Sequence, residues 1–579
     1  MSSLAAGVGG GPDAPAAPAS SAAPPPFDFA TLPRTYDNAL YLLSLLSTNR
    51  DVTSLFEVPQ PGGGGAADLN AQALPEMRAW LARAGYPDPA RDLAALRCVH
   101  ISGTKGKGSV SAFVTAILQD AADVAATASA AAPAGSPVHI GRVGTYLSPH
   151  VVSVRERIWL DGQPLSRALF AQYTFELWAR LSEAAAAADP ADPHTTGAHT
   201  KPFYFRFLTL LALHVFVREG VRSAVVECGI GGAYDATNVL PPAAVTTSVV
   251  TRLGIDHVAM LGRTLPAIAW HKAGIFRPGV AAFTLGEKEA DAGGNTGNAD
   301  AEGPAERAAA LAVLRARARE LQASALYEIP PDAVARWAGV PGAALPGAFQ
   351  KSNMALAAAA ARHHLRVLGG GDSNGADALV DPATIPPRFY AALARATLRG
   401  RCERVCDAPS SGGAHWLIDG AHTADSLYAV GQFFAADQED DGHGDQNLAA
   451  TASPSSSSLP PQRILLFTLR DRSVAEHVRA VVAGAGNKPN GADNVVFDEA
   501  FFVFPPTATA ERTAALETLA RVSPHTAASM WDDVPSAVRT IRSRAADAAS
   551  SARPCRVLAT GSFVLVREVL QALGADGEA

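Results

Sequence analysis

Two α/β units, each built on a parallel-rich sheet, are what this sequence predicts, on three observations. Short strand-like runs alternate with stretches of helical spacing between residues 96 and 250, the pattern of strand–helix–strand crossovers. One such strand runs directly into a Gly-rich loop and then a helix. A second set of strands, again separated by helical patterns, begins after about residue 399 and reads as a smaller, doubly wound Rossmann-like unit.

The first 26 residues are mostly Ala, Gly, Pro and Ser without Lys or Arg. They lack the charged start of a targeting segment, and residues 1–33 are expected to form a disordered tail. Thr35 stands where it can cap a helix carrying Leu42 and Leu43. A Gly/Ala/Pro loop at 59–67 precedes a helical stretch with Met77, Trp80 and Leu81. Residues 96–101 read as a buried strand, 110–118 as the helix after the Gly-rich loop, and Tyr204–Arg218 as an apolar helix. Residues 223–228 and Val245–Val250 are further strands. This first unit, with a linker, covers 34–398, its end falling between 366 and 400. The second covers 399–579, with strands at His415–Asp419, 463–467, 495–504 and Cys555–Thr560. Low-complexity stretches at 121–137, 183–200, 286–305, 369–377 and 437–461 read as surface insertions.

With 579 residues, 48% hydrophobic and 18% charged, the chain has a globular balance and enough length for two cores. Its net charge of −7 gives no ground for nucleic-acid binding; anionic substrates would need a local basic face. Five scattered cysteines make neither a disulfide framework nor zinc spacing, since Cys402 and Cys406 lack a second pair. A reducing compartment, the cytoplasm, is expected, with a mitochondrial form from another start site left open. No apolar run reads as membrane-spanning. Lysines number seven against 41 arginines, so a lysine marks a place where Arg would not serve. Lys105, Lys107 and Lys272 all fall inside the motifs below.

Gly103-Thr-Lys-Gly-Lys-Gly-Ser109 lies after a strand and before a helix. Glycines let backbone N–H groups approach phosphate oxygens, and the helix N-terminus adds favourable potential. Lys107 would reach the β- and γ-phosphates and Ser109 a Mg²⁺ ion. The spacing departs from the strict phosphate-loop pattern because Gly108 separates the Lys from the Ser.

This loop resembles the ATP loop of folylpolyglutamate synthases, relatives of the Mur ligases. Further motifs follow in that family's order: Ser148-Pro-His with Arg155-Glu-Arg-Ile, Tyr204-Phe-Arg-Phe-Leu-Thr, and Glu227-Cys-Gly-Ile-Gly-Gly-Ala-Tyr-Asp-Ala-Thr-Asn238. Gly254-Ile-Asp-His257, Trp270-His-Lys-Ala-Gly-Ile-Phe276, Gln350 with Asn353, Gly400-Arg401, Asp419-Gly-Ala-His-Thr423 and Thr560-Gly-Ser562 complete it. Lys105 and Ala233-Tyr234 are similar to the eukaryotic branch. Phe349, where the family has His, and Arg470-Asp-Arg472, where it has Gly-Asp-Arg, depart from it.

The resemblance implies a Mur-ligase-like fold and a ligase that adds L-glutamate to (poly)glutamyl tetrahydrofolate through an acyl phosphate. ATP would contact Gly106, Lys107, Gly108, Ser109, Gln350 and Asn353, and from the second unit Arg401, Asp419 and His422. Ser109 and Glu227 resemble ligands of one Mg²⁺ or Mn²⁺ ion, and Ser148, Glu227 and His257 those of another, with K⁺ as an activator. Lys107, Lys272 and His257 are the implied catalytic residues, and Lys272 matches a lysine carbamylated in this superfamily. Carbamate formation needs a neutral amine, which desolvation gives a Lys and cannot give an Arg. A monomer without integral membrane association is expected.

Arg155, Arg157 and Arg206 read equally as contacts for anionic folate tails and as structural ion pairs. His363, His364 and His443 have no ligand-spaced partner and read as solvated. Three other functions stay open: dihydrofolate synthase, a Mur-type ligase for another acid and amino acid, and a nucleotide-binding protein without catalysis.

Overall fold

The computed structural model of the chain describes residues 29–46, 66–129, 140–188, 200–287, 303–345, 347–369, 375–407, 413–436, 461–469, 473–486, 496–550 and 553–575. Most of the expected tail, the 59–65 part of the first loop, large parts of the low-complexity stretches, His443 and Arg470–Arg472 lie outside them.

The strand at residues 96–101 forms as β1 (Cys98–Ser102), buried at every position. It is buried on both faces because helices cover both, and its polar His100 and Ser102 are hydrogen-bonded, to Thr237 Oγ1 and Gly231 O. The first sheet continues with β2 (Arg142–Tyr146), β3 (Ile158–Leu160), β4 (Gln163–Pro164), β5 (Val221–Glu227), β6 (Val245–Val250), β7 (Ala281–Leu285) and β8 (Ala325–Ile329). Their spatial order is β4-β3-β2-β5-β1-β6-β7-β8. Pairings from β2 through β8 are parallel, while β3 and β4 add an antiparallel edge.

The second sheet comprises β9 (Glu403–Cys406), β10 (His415–Asp419), β11 (Gln462–Phe467), β12 (Glu499–Val503), β13 (Ala527–Trp531) and β14 (Cys555–Thr560), ordered β13-β12-β11-β14-β10-β9. All its pairings are parallel except that of the edge strand β9. The helix Pro387–Arg395 buries Phe389 and Leu393 in the first core, and β9 begins eight residues later. One segment crosses this division: Val151 and Val152, between β2 and β3, pack with Trp416, Ile418 and Val566 of the second core.

Thr35 caps Tyr36–Ser44 by accepting the Asn38 N–H, as expected. The helix after the Gly-rich loop starts at Lys107, three residues before the expected point, and runs to Ser129. Gly106 supplies its first carbonyl, which accepts the Val110 N–H at 2.9 Å. This helix corrects the reading of membrane-spanning length, since residues 107–127 are long and apolar enough by composition. In the fold its Phe113, Val114, Ile117 and Leu118 are fully buried against the sheet and the helix Ala348–Val367.

His363 and His364 correct a second expectation. His364 is fully buried, its Nδ1 2.7 Å from Thr246 Oγ1 and its Nε2 3.2 Å from Ser223 Oγ. His363 Nδ1 lies 3.0 Å from Thr247 Oγ1, with its ring against Phe283. Both histidines satisfy hydroxyls of the sheet under their helix, a pairing that spacing along the chain does not reveal.

Candidate active site

The Gly-rich loop is held by the strand end beside it. Thr104 and Lys105 N–H groups donate to Arg252 O at 3.0 Å, and Thr104 Oγ1 donates to Gly254 O at 3.0 Å. Gly103 and Gly106 have φ of +144° and +92°. A Cβ on Gly103 would strike Thr251 and one on Gly106 would strike Asn353, so bulk is excluded as well as strain. Asn353 Nδ2 donates to Gln350 Oε1 at 2.8 Å, and Gln350 Nε2 donates to Ser109 Oγ at 3.2 Å. Gly106, Ser109, Gln350 and Asn353, far apart in sequence, thus form one connected set.

Lys107 Nζ and Lys272 Nζ both donate to Gly103 O, at 3.1 and 2.7 Å. Lys272 is 2% exposed. Burial first, and the Lys107 charge second, push its pKa down to about 7. Lys272 is therefore no surface lysine, and its amine gives up its proton far more readily than an exposed one.

Glu227 ends β5 and is 2% exposed. Burial raises its carboxyl to about 7, against the pull of Lys107, the Ser148 N–H at 3.2 Å, Arg401 and Arg157. An acid so placed, with cations near it but no direct ion pair among the described residues, suits a divalent cation. Ser109 and Ser148 stand on the same cleft wall, and hydroxyl and carboxylate oxygens are donors for hard ions. His257 sits at the cleft's lip: left-handed at φ 49°, its side chain 44% exposed, its Nε2 3.7 Å from Asp256 Oδ2. Among the described residues no three His, Cys, Asp or Glu side chains gather as a metal cage. Ligands beyond Glu227 and His257 would be hydroxyls, water and phosphate oxygens.

The turn after Glu227 is built by Asp235. Its Oδ2 accepts the Gly229 and Ile230 N–H groups at 2.9 and 3.0 Å, and its Oδ1 accepts Thr237 N–H at 2.9 Å. Asn238 Nδ2 donates to Ala233 O and Gly274 O, and Arg277 Nη2 donates to Asn238 Oδ1 at 2.5 Å. These contacts tie the turn to the residues after Lys272.

Across the cleft, the second sheet contributes Arg401, Asp419 and His422. Asp419 accepts Cys402 N–H at 2.8 Å and Ala421 N–H at 2.7 Å, so both its oxygens hold the Arg401 and His422 loops in place. Phe563, a residue sequence reading missed, lies beneath both: Arg401 is 4.6 Å from its ring centroid and the His422 ring 6.1 Å. A Cβ on Gly420 would penetrate that ring, which explains the glycine after Asp419. Position after the Gly561-Ser562 pair was the available signal. Lys105 Nζ meets Asp425 Oδ2 at 3.0 Å, linking the Gly-rich loop to the second unit.

The three candidate arginines separate. Arg155 donates to Leu165 O at 2.9 Å and is absent from the cleft wall. Arg206 lines the cleft but is paired with Glu76. Arg157 lines it beside Glu227. The cleft, about 1520 Å³, is walled by both units and also includes Tyr234, Phe349, Phe203 and Phe205.

Two fungal relatives match this chain along most of its length. A folylpolyglutamate synthase of Saccharomyces cerevisiae (strain ATCC 204508 / S288c) is 36% identical over 404 residues, 69% of this chain and 63% of the relative. One from Neurospora crassa is 37% identical over 415 residues, 70% of this chain and 65% of the relative. Over its matched length the chain is similar to these folylpolyglutamate synthases. It spans a little under two thirds of those curated relatives. No protein-family model matches the chain. Folylpolyglutamate synthase structures share its fold. That of Mycobacterium tuberculosis complexed with ADP superposes with a TM-score of 0.59 at 22% identity, covering 93% of this chain and 99% of that one. A bifunctional folylpolyglutamate synthase/dihydrofolate synthase from Yersinia pestis, complexed with AMPPNP and a Mn ion, gives 0.56 at 21% identity, covering 93% and 98%. The two-sheet α/β architecture is therefore the Mur-ligase-like fold of those structures.

Proposed function

We propose that this chain is an ATP-dependent ligase joining L-glutamate to the γ-carboxylate of a (poly)glutamyl tetrahydrofolate. The observation that carries the reading is a cleft lined by Lys107, buried Glu227 and Arg401, with Lys272 buried behind its wall and sharing Gly103 O with Lys107. Similarity to the fungal folylpolyglutamate synthases and the nucleotide complexes of structural neighbours support it.

A carboxylate and an amine do not condense unaided, because oxide is a poor leaving group. In the proposed reaction the folate γ-carboxylate oxygen attacks the γ-phosphorus of ATP, and the bond to the bridging oxygen breaks to release ADP. The glutamate amine then attacks the acyl carbon, phosphate leaves, and the amine loses a proton. Charge accumulates on phosphoryl oxygens, so placement of cations supplies most of the catalysis. Lys107 would turn from Gly103 O to the phosphates, and Arg401, braced on Phe563, would meet them from the other wall. Glu227 with Ser109 and Ser148, and His257 from the lip, would hold Mg²⁺ or Mn²⁺. Such an ion neutralises phosphate charge when bound. Lys272, neutral near pH 7, is suited to carry a carbamate; K⁺ would act as an activator. A monomer, in the cytoplasm, is part of the same proposal.

Extension of an existing tail is favoured over first-glutamate addition by the resemblance of Lys105 and Tyr234, both in the cleft wall, to the polyglutamate-forming branch. Purified protein with Mg-ATP and labelled glutamate, offered monoglutamyl tetrahydrofolate or dihydropteroate in parallel, tests this. A product ladder spaced by single glutamyl units is expected from the former. One addition to dihydropteroate, with none to the folate, makes the chain a dihydrofolate synthase instead.

A further inference from the structure

The loop between β2 and β3 is unusually stiff for a segment at a cleft. Its base is closed by Leu147 N–H donating to Arg157 O at 2.8 Å. Inside it, the Glu156 carboxylate accepts the Val151, Val152 and Ser153 N–H groups at 2.7, 3.1 and 2.9 Å. Tyr36 OH meets Ser153 Oγ at 3.1 Å from outside. The two ends of this turn carry His150 and Arg157, and their side chains meet: Arg157 Nε donates to His150 Nδ1 at 2.8 Å. A guanidinium has only donors, so Nδ1 must be the bare nitrogen and Nε2 must carry the hydrogen.

Arg157 is 6% exposed and lines the cleft beside Glu227, with its guanidinium 5.9 Å from the Tyr204 ring centroid. Among the described residues its side chain makes no hydrogen bond beyond the one through Nε, and no ion pair. Its terminal nitrogens are not among the buried polar atoms left without a partner, so they reach the solvent of the cleft and can meet an anion there. The fork's planar geometry matches a carboxylate.

We propose that Arg157 receives a carboxylate of the folate-side substrate and that His150 is the positioning residue that aims it. The proposal rests on the ligase reading above and adds to it which arginine takes the substrate's charge and what orients that arginine. His150 fixes the Nε edge, Tyr204 covers a face, and the stiff turn fixes both backbone ends, so the free edge can point only into the cleft. Arg155 and Arg206, already engaged with Leu165 O and Glu76, do not share the task.

The test uses the full chain and three variants: His150→Phe, which removes the acceptor; His150→Asn, whose Oδ1 can stand where Nδ1 stood; and Arg157→Lys. For His150→Phe and Arg157→Lys the KM for monoglutamyl tetrahydrofolate should rise roughly tenfold or more, the size of one lost charged hydrogen bond. The KM for ATP should stay within about twofold. His150→Asn should recover most of the loss. A rise in the KM for ATP instead, or unchanged constants in folded variants, overturns the proposal. Wild-type protein that turns over no folate defeats the ligase reading itself, and that result is separable. Independently of turnover, ¹⁵N shifts of the imidazole assigned by loss in His150→Phe should show a bare Nδ1 and protonated Nε2 at pH 7.5; the opposite tautomer also overturns it.

Discussion

Lys272 Nζ donates to Gly103 O at 2.7 Å, and the same oxygen takes Lys107 Nζ at 3.1 Å. Burial, and after it repulsion from the Lys107 ammonium on the same carbonyl, push the Lys272 pKa down from 10.5 to about 7.

Lys272→Met should therefore change the pH dependence of stability. A lysine whose folded pKa lies below its unfolded value binds fewer protons when folded, so its cost is full below about pH 7 and shrinks as pH rises towards 10.5. Wild-type stability should gain on the Met variant by up to about 1.4 kcal/mol per pH unit across that window. Urea denaturation at pH 7, 8 and 9 checks it; parallel curves for the two proteins contradict the buried, depressed lysine. If Lys272 also takes up CO₂, activity should rise with added bicarbonate between pH 6.5 and 8, and the Met variant should not respond.

Glu227 has the opposite sign. Its carboxyl is raised from 4.5 to about 7, so the folded chain keeps a proton that the unfolded chain has lost. Its contribution to stability falls as pH rises from 4.5 through 7. Free of divalent metal at pH 8, Glu227→Gln should melt higher than wild type. Adding Mn²⁺ should reverse the order by stabilising wild type alone, with proton release near neutrality measurable by calorimetry in two buffers.

Lys107→Ala should lower kcat by roughly a hundredfold or more while leaving the melting curve close to that of wild type. Its amine meets only a loop carbonyl that Lys272 also serves, so the fold does not depend on it. Near-normal turnover at saturating ATP in the folded variant would remove Lys107 from the proposed mechanism.

Phe563 should matter through its ring face. Phe563→Leu keeps apolar bulk but loses the cation–π contact with Arg401, worth about 0.5–2 kcal/mol. The KM for ATP should rise several-fold in Phe563→Leu and in Arg401→Ala, and the two changes together should be less than additive. Full additivity would show that the ring does not act through Arg401.

Much of this was readable from the chain because it is local. The Gly-rich loop, the β1 and β5 strands and the Tyr204–Arg218 helix announce themselves by periodicity and by backbone demands at Gly103 and Gly106. What depends on distant partners was not. Asp419 looks like a ligand contact in sequence, yet its oxygens are occupied by the Cys402 and Ala421 amides. His364 looks solvated until Thr246 and Ser223 are beneath it. Phe563 follows the Gly561-Ser562 pair, but its role comes from Arg401 and His422 arriving from two other loops, which that position does not reveal.

Val151 and Val152 belong by sequence to the first unit and by packing to the second. The boundary near residue 400 is thus a poor place to cut the chain. A fragment starting there would leave a bare apolar notch beside Trp416, Ile418 and Val566, and should be recovered aggregated or with little cooperative unfolding. The same splice means that the two halves cannot swing apart as separate bodies without dragging the His150–Arg157 turn along. Nucleotide-driven rotation of the small half would then be felt mechanically at the opposite wall, through chain connectivity and packing rather than through any ligand-to-ligand contact.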